Sequence, residues 1–180
     1  LVQAIAGRYL QLPPARHPKH PNTNLTLTKD HFIFTPEQFF SVPYEVPQGS
    51  PIIVDEGGVA MLANEAITAE GREVKKVVTV MGERNLLVLI CAPQWDLLQP
   101  YVRARRALAL LRVVSRGRFM AYNKPAIRRI IKDTKTQQLK YPPPTFRDGW
   151  QLREGKLWDK YEEMKNDYLK SRRQKDGEKL

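Results

Sequence analysis

The chain has 180 residues, of which 42% are hydrophobic and 9% aromatic, a composition typical of a globular domain with a sizeable core. No apolar run reaches membrane-spanning length and no signal peptide is visible, so we expect no membrane span and a cytoplasmic location. The single cysteine, Cys91, excludes an internal disulfide and is in keeping with a reducing compartment.

The formal charge of +11 is unevenly distributed along the chain. Residues 1–100 contain 8 Lys/Arg and 10 Asp/Glu, and residues 101–180 contain 22 and 9, so the two halves carry −2 and +13. A strongly basic half predicts a polyanionic partner such as nucleic acid. An anionic membrane is the alternative partner, but residues 101–150 contain no basic helix with a clean apolar face of aromatics.

The N-terminal part of the chain predicts two helices and a short strand. Residues 1–11 carry apolar side chains at helical spacing. A polar loop follows, and residues 31–34 (HFIF) then predict a short strand. Residues 35–38 (TPEQ) are a helix start, since Thr can cap it, Pro suits its first position and Gln can reach back to the cap. We expect this second helix to end near Pro43.

An acidic pair follows an apolar strand in the middle of the chain. Residues 51–54 (PIIV) predict a strand that is buried on both faces, as in a parallel sheet. Asp55 and Glu56 stand at its carboxyl end, where ligands bind in open α/β sheets. The simpler alternative is an apolar strand that ends in an acidic surface turn.

A second apolar strand is predicted after two helical stretches at 59–68 and 72–83. Residues 86–92 form an uninterrupted apolar run, which is again typical of a strand buried on both faces. Pro93 and Gln94 follow this strand directly. Two such strands joined by helices predict a βαβ unit, so the expected fold class is α/β with a parallel sheet.

The basic half begins with an arginine cluster at residues 103–106 (RARR). An apolar strand is predicted at 107–114, and residues 118–122 are expected to pair back on it as an antiparallel hairpin. A short basic helix is expected within 125–132. Further on, the three consecutive prolines at 142–144 favour a stiff, extended linker.

The last part of the chain predicts an amphipathic helix, because apolar side chains recur at positions 157, 161, 164 and 168. We therefore expect three segments along the chain. They are a core at 1–140, a Pro-containing linker at 141–155, and a helix with a basic tail at 156–180.

The order of these motifs resembles the FtsK–HerA group of DNA-pumping P-loop ATPases, which includes zonular-occludens-toxin-like members. The resemblance covers about residues 1–123, and its only specific motif is the acidic strand, which is similar to a Walker B element. It implies a RecA-like three-layer sandwich with a mostly parallel sheet, a β-hairpin at one edge and a C-terminal helical extension. The other matching stretches are Glu83–Asn85, Ala92–Gln94, Leu98–Arg105 and Ser115–Gly117.

The resemblance implies that the protein binds ATP and Mg²⁺, assembles as a homo-oligomeric ring and moves double-stranded DNA. Asp55 would bind Mg²⁺ through water, Glu56 would act as the catalytic base, and Gln94 would sense the γ-phosphate. The phosphate-binding motif G-x-x-x-x-G-K-[ST] does not occur in these 180 residues. We therefore expect it immediately before Leu1.

The resemblance also gives a role to the arginine cluster. Arg103 and Arg106, together with Arg105, would reach the nucleotide of a neighbouring subunit and stabilise the charge of the transition state. The alternative for each arginine is a solvated basic turn or a contact with a nucleic-acid phosphate. The basic residues that follow are candidate nucleic-acid contacts, namely Arg112, Arg116, Arg118, Lys124, Arg128 and Arg129.

Two other classes of function remain open on the sequence. The basic half is compatible with a nucleic-acid-binding or assembly module that hydrolyses nothing. A hydrolase that uses Asp55 and Glu56 as an acid/base pair is disfavoured, because the sequence offers no nucleophile with a paired histidine.

Overall fold

The computed structural model of the protein describes residues 27–55, 69–149 and 156–177. The described part is mixed α/β, with one parallel sheet and two antiparallel sheets. The predicted class, α/β with a parallel sheet, is therefore confirmed. In chain order the elements are β1 (Phe32–Ile33), α1 (Pro36–Glu45), β2 (Pro51–Val54), α2 (Ala69–Glu83), β3 (Leu87–Ile90), β4 (Ala109–Ser115), β5 (Arg118–Asn123), α3 (Lys124–Ile127), β6 (Ile131–Lys132), β7 (Leu139–Lys140), β8 (Phe146–Gly149) and α4 (Lys156–Gly177).

The chain divides into two compact units. Unit 1 consists of Leu1–Leu97 and Glu154–Leu180, and unit 2 consists of Leu98–Arg153. The parallel sheet and α4 belong to unit 1, whereas both antiparallel sheets belong to unit 2. The Pro-rich stretch at 142–144 connects two strands of unit 2. The domain limits predicted at 140 and 155 stay a prediction.

The parallel sheet of unit 1 has the strand order β1-β2-β3, with β2 in the centre. Ile53 pairs with Phe32 on one side and with Leu89 on the other. All four residues of β2 are buried, as expected for a run of β-branched side chains covered on both faces. Each of its three aliphatic side chains contributes about 1.5–3 kcal/mol through burial, which makes β2 the best-anchored element of the sheet.

The strand β3 is shorter and less buried than predicted. It spans Leu87–Ile90, and its four side chains are partly exposed. Within the described residues it pairs with β2 alone, so one of its edges has no described strand partner. This edge position explains the difference, because an apolar run alone does not distinguish an edge strand from a central one.

The start of α1 agrees with the sequence prediction. The Gln38 amide donates to Thr35 Oγ1 at 3.2 Å, and the Thr35 amide donates to Gln38 Oε1 at 3.2 Å, which is a capping box. The helix continues past Pro43 to Glu45, contrary to the expected end near Pro43. Pro43 removes one amide donor from the helix, but the carbonyls near the helix end are bound by the guanidinium of Arg84.

The helix α2 carries the predicted apolar stripe. Val74, Val77, Val78 and Met81 follow helical spacing and are 1–8% exposed. Its described part already includes Ala69, ahead of the predicted start near 72, and the other helix predicted before it, at 59–68, lies outside the described residues. The predicted helix at 1–11 also lies outside them.

The C-terminal helix α4 packs on unit 1 through one stripe of side chains. Tyr161, Met164 and Tyr168 lie against a core cluster formed by Phe32, Phe34 and Ile53. The Tyr161 ring is 5.5 Å from the Phe32 ring and 5.9 Å from the Phe34 ring, and the Tyr168 ring is 6.1 Å from the Phe34 ring. These contacts bring the middle of α4 to the strand ends of the parallel sheet.

In unit 2 the predicted hairpin is present but belongs to another sheet than expected. The strands β4 and β5 pair antiparallel, and β8 pairs with the other edge of β5. The hairpin was expected at one edge of the parallel sheet, and this is wrong for the described residues. The second partner of β5 is β8, a strand that follows the prolines and that the sequence analysis did not predict. By pairing with β5, β8 provides hydrogen-bond partners for the backbone amides and carbonyls on that edge of β5.

The tip of this hairpin depends on two glycines. Gly117 has a φ of 79°, which L side chains rarely adopt. Gly149 lies so close to the turn that a Cβ there would sit 2.7 Å from the carbonyl oxygen of Gly117. The predicted basic helix within 125–132 is shorter than expected. It ends at Ile127, and Ile131–Lys132 form a small antiparallel pair with Leu139–Lys140.

Candidate functional site

Asp55 is the first residue after the central strand β2. Its amide donates to the carbonyl oxygen of Ile33 at 2.9 Å, which extends the pairing with β1 by one step. On the other side, the Cys91 amide donates to the carbonyl oxygen of Val54 at 2.8 Å. Asp55 therefore stands at the carboxyl edge of the sheet, between the ends of two flanking strands. It is 4% exposed, which is rare for an aspartate without partners.

The carboxylate of Asp55 is held by two side chains of α4. The hydroxyl of Tyr161 donates to Asp55 Oδ2 at 2.7 Å, and Lys165 Nζ lies 3.1 Å from the same oxygen. Lys165 Nζ also donates to the Tyr161 hydroxyl at 3.3 Å, which closes a ring of three polar groups. The two residues of α4 are four apart, so they lie on the same helix face.

Tyr161 and Lys165 both keep their protons at neutral pH in this cluster. Burial raises the pKa of Tyr161 to about 12, and the hydrogen bond to Asp55 acts in the same direction. Burial opposes the charge of Lys165, but its hydrogen bonds to Asp55 and Tyr161 outweigh that effect and raise its pKa. At neutral pH the cluster therefore consists of a neutral phenol and an ammonium ion, both donating to the carboxylate.

A Tyr–Lys pair four residues apart can serve as a proton donor and acceptor, but only if the lysine lowers the tyrosine pKa enough. Here the effect of burial and of Asp55 is stronger, and the pKa of Tyr161 moves away from neutrality. The pair is thus unsuited to acid/base work in this conformation. Its evident effect is to neutralise and fix Asp55.

This conformation does not fit a cation at Asp55. Mg²⁺ is usually bound through one or two carboxylates together with phosphates and water. The Oδ2 atom of Asp55 already accepts from Tyr161 and lies 3.1 Å from a positive charge on Lys165. The described residues contain no group of three or more His, Cys, Asp and Glu side chains that could hold a metal ion. A cation at Asp55 requires that Lys165 move away.

Of the two other residues predicted to act with Asp55, the structure describes only Gln94. Glu56 lies outside the described residues. Gln94 is exposed and follows the end of β3 by four positions, just before a single helical turn at Trp95–Leu97. Because β2 and β3 are parallel neighbours, Gln94 follows a strand that ends at the same edge of the sheet as Asp55.

The arginine cluster lies in unit 2, on a short π-helix at Val102–Arg106. Along the chain, the helical turn at Trp95–Leu97 separates the cluster from β3, so the cluster does not stand directly at a strand end of the parallel sheet. Arg106 Nε donates to the Tyr101 hydroxyl at 3.0 Å, and its guanidinium lies 5.5 Å from the centre of that ring. The Nε atom of Arg103 is buried and has no hydrogen-bond partner in the described part of the chain. Arg105 is exposed.

The sheet of unit 2 collects basic residues on one face. Arg112 on β4 pairs with Met120 on β5, and Met120 pairs with Arg147 on β8, so these three side chains point to the same side. Arg118 lies two positions before Met120 and shares that side. We call Arg112, Arg118 and Arg147 the basic face. All three arginines are exposed.

Aromatic side chains support the basic face. The guanidinium of Arg112 stacks over the Tyr141 ring at 4.4 Å from its centre, and Tyr141 in turn lies 5.6 Å from the ring of the buried Tyr122. The stacking fixes the orientation of one arginine and leaves its charge at the surface. The remaining predicted contacts, Arg116, Lys124, Arg128 and Arg129, lie in the hairpin turn or at α3, and Arg116, Arg128 and Arg129 are exposed.

The opposite face of the same sheet is apolar. Val113 pairs with Phe119, and the rings of Phe119 and Phe146 meet edge to face at 6.0 Å. Phe119 is buried, whereas Val113 and Phe146 are 55% and 53% exposed. The only acid of the sheet, Asp148, pairs with Phe119 and thus lies on this side. Positive charge is therefore confined to one face of the sheet.

Sequence reasoning missed three residues of these two sites. Tyr161 and Lys165 were treated as parts of an amphipathic helix, because a lysine beside an apolar stripe usually keeps its charge in water and no local pattern indicated the contact with Asp55. Arg147 was missed because the strand that carries it follows a run of prolines.

Comparisons with known proteins found no similarity from which to argue. No family model matches the chain, and the searches of curated proteins and of solved structures found no match either. Among the described residues, no helix is both long and apolar enough to cross a membrane. The geometry of the two units therefore carries the argument about function.

Proposed function

We propose that this chain is the part following the phosphate-binding loop of an ATP-driven DNA translocase or packaging motor, with a RecA-like fold of the FtsK–HerA type. One observation carries the proposal. A buried aspartate stands directly after the fully buried central strand of a parallel sheet, at the edge where α/β proteins bind their ligands. A glutamate follows it in the sequence.

The roles proposed for the chain's own residues follow from their positions. Glu56 is the proton acceptor for the attacking water, and Asp55 orients the site from the end of β2. Gln94 contacts the terminal phosphate from the end of the neighbouring strand. ATP and Mg²⁺ would supply the phosphoryl group and the charge that neutralises it. The loop that binds the phosphates would come from outside these 180 residues, since their sequence contains no such motif.

The charge of unit 2 supports a DNA substrate. Residues 98–153 contain 14 Lys/Arg and 2 Asp/Glu, a net charge of +12, while the remaining residues contain 16 and 17, a net charge of −1. The two values add up to the total of +11. Charge this strongly localised is the electrostatic footprint of nucleic-acid binding, and it requires no base-specific contact.

A ring of identical subunits is part of the proposal. Arg103 supports it, because its buried Nε lacks a hydrogen-bond partner among the described residues, and a buried donor without an acceptor is costly. The phosphates of a neighbour's nucleotide would supply that acceptor. Arg106 is already engaged with Tyr101 and would have to release it to take the same role.

One observation favours a second candidate, a nucleic-acid-binding or assembly module without hydrolysis. Tyr161 and Lys165 satisfy the carboxylate of Asp55 in the way that a structural ion pair does. In that case the acidic strand end anchors α4, and unit 2 alone carries the function.

ATP hydrolysis by the natural full-length protein separates the two candidates. Glu56→Gln should retain nucleotide binding and lose turnover by at least about a hundredfold, because the site keeps its shape while the proton acceptor is lost. Glu65→Gln, at another acid of the same segment, is the matched control and should hydrolyse ATP like the wild type. Wild-type turnover in the Glu56→Gln protein would overturn the catalytic assignment, and absence of nucleotide binding by the wild type would favour the second candidate.

A further inference from the structure

One arginine of the basic face is held differently from the other two. The guanidinium of Arg112 lies over the ring of Tyr141, 4.4 Å from the ring centre. Among the described residues, Arg118 and Arg147 stack on no aromatic ring. A guanidinium that stacks through its flat face keeps its N–H donors available for another partner, because they lie in the plane of the group. Arg112 is therefore ordered and still able to donate.

The backbone on both sides of Tyr141 is fixed. Lys140, directly before it, belongs to β7. Three prolines with restricted φ angles follow at 142–144, and the amide of Thr145 then donates to a carbonyl oxygen of β5 at 2.8 Å. The Tyr141 ring packs 5.6 Å from the ring of Tyr122, which is 2% exposed. Tyr141 thus gives Arg112 a rigid platform that is tied to the core of unit 2.

The acids of unit 2 do not neutralise Arg112. The sequence of the unit contains only Asp133 and Asp148. Asp133 forms an ion pair with Lys140, and Asp148 lies on the apolar face of the sheet. The anion that suits Arg112 therefore comes from outside unit 2. A phosphate group fits this arginine, because a guanidinium can bind two phosphate oxygens through parallel N–H donors.

We propose that Tyr141 is a positioning residue for nucleic-acid binding, which orders the Arg112 guanidinium in advance for a phosphate of the nucleic-acid backbone. The inference rests on the proposed binding of nucleic acid by unit 2. A long side chain that must become ordered on binding loses rotamer freedom, and this loss weakens the contact. Stacking on Tyr141 removes most of that loss before the nucleic acid arrives. Tyr141 acts through Arg112 and needs no contact of its own with the nucleic acid.

A positioning role and a phosphate contact have different effects on binding. Arg112→Gln removes a contact, so the slope of log affinity against log salt should fall by about one. Tyr141→Leu leaves the charge of Arg112 in place, so it should lower the affinity roughly three- to tenfold without changing the slope. The two substitutions should be coupled, because the ring has nothing to orient once Arg112 is gone. Tyr141→Leu and Arg118→Gln should be additive, since Arg118 does not use the ring.

The test measures the binding of a labelled DNA duplex to the 180-residue chain over a salt series. Tyr141→Phe keeps the ring and should retain the wild-type affinity. The matched control is Phe146→Leu, which removes a 53% exposed ring from the apolar face of the same sheet and should change neither affinity nor slope.

Arg112→Lys keeps the test decisive if Tyr141→Leu folds poorly, because Arg112 is exposed. Lysine retains the charge but lacks the planar group that stacks, so this variant should bind DNA as Tyr141→Leu does. Arg118→Lys is its control and should lower the affinity less.

Two results would overturn the positioning role and leave the basic face as the binding surface. One is wild-type affinity in both Tyr141→Leu and Arg112→Lys, together with a reduced salt slope in Arg112→Gln. The other is equal coupling of Tyr141→Leu to Arg112→Gln and to Arg118→Gln, because the ring would then support the sheet as a whole. If the wild type binds no duplex DNA at low salt, the positioning role and the proposed DNA substrate both fail.

Discussion

The two units of the chain deal with charge in opposite ways. In unit 1 the charged groups near the core are matched internally, Asp55 by Tyr161 and Lys165, and Arg84 by carbonyl groups at the end of α1. In unit 2 most of the described basic side chains are exposed, and the sequence of the unit contains 14 basic residues but only 2 acidic ones. The net charge of a chain therefore indicates a binding partner only after the charged residues have been assigned to folded units. The C-terminal helix, which looked like part of a basic half, belongs to the nearly neutral unit.

The largest effect that follows from this difference concerns nucleic-acid binding. If unit 2 contacts about six phosphates, its affinity for duplex DNA should fall about 10³-fold between roughly 50 and 200 mM salt, because condensed counterions are released on binding. Replacing the basic face, Arg112→Gln, Arg118→Gln and Arg147→Gln together, should lower the slope of log affinity against log salt by about three. Fluorescence anisotropy with labelled duplex DNA over a salt series measures both quantities.

A charge-matched control decides whether the location of the charge or its total matters. Lys29→Gln, Lys76→Gln and Lys160→Gln together remove the same charge from exposed positions of unit 1. This variant should keep the wild-type slope. Equal slopes for the two triple variants would mean that total charge, and not the basic face, attracts the DNA.

The second effect contrasts an internally matched arginine with an exposed one. Arg84 donates to the carbonyl oxygens of Pro43 at 2.9 Å and Val46 at 2.6 Å, and also to that of Tyr44. Arg84→Met should lower the free energy of unfolding by about 2–3 kcal/mol, because these carbonyls lose a charged donor at the end of a helix.

The same substitution in unit 2 is the control for this prediction. Arg116→Met, in the exposed hairpin turn, should change the free energy of unfolding by less than about 0.5 kcal/mol. Urea unfolding followed by circular dichroism measures both variants. Similar losses of stability at the two positions would contradict the contrast between the units.

The smallest effect is a pH dependence of unit 1. Burial lowers the pKa of His31 and outweighs the opposing influence of Thr28 and Asp30. Since the folded state favours the neutral ring, His31 stabilises the fold above its ordinary pKa of 6.5, and this contribution is lost as the pH falls through that value toward the lowered one.

His31→Gln should flatten the decrease in stability below about pH 6.5, because glutamine does not titrate in this range. The measurement is the stability of unit 1 between pH 5 and 8, determined from the hydrogen exchange of β2. Unit 2 contains no histidine and should show no such decrease in this range. An equal decrease in the His31→Gln protein would assign the effect to another group.

The sequence allowed the local features to be predicted. The run Pro51–Val54 was recognised as a buried strand because three of its residues are β-branched, and the Thr35 cap because all of its partners lie within four residues. The pairing of β4 with β5 was also predicted from local sequence, because a short turn joins the two strands.

The features that were missed are long-range. Tyr161 and Asp55 are 106 positions apart, and no local pattern indicates that α4 returns to the end of β2. The strand β8 was hidden because a run of prolines suggests a linker, yet prolines also precede strands that begin just after them. The exposure of β3 depends on its place at the edge of the sheet, which its composition does not encode.

The most direct test of the account is the DNA dependence of ATP hydrolysis by the natural full-length protein. Duplex DNA at low salt should stimulate turnover in the wild type and in the Lys29/Lys76/Lys160 control, while the Arg112/Arg118/Arg147 variant should keep its DNA-free turnover and lose the stimulation. That result would join the acidic strand end of unit 1 to the basic face of unit 2 in one function. Equal stimulation of both triple variants, or ATP turnover that DNA leaves unchanged in every protein, would contradict it.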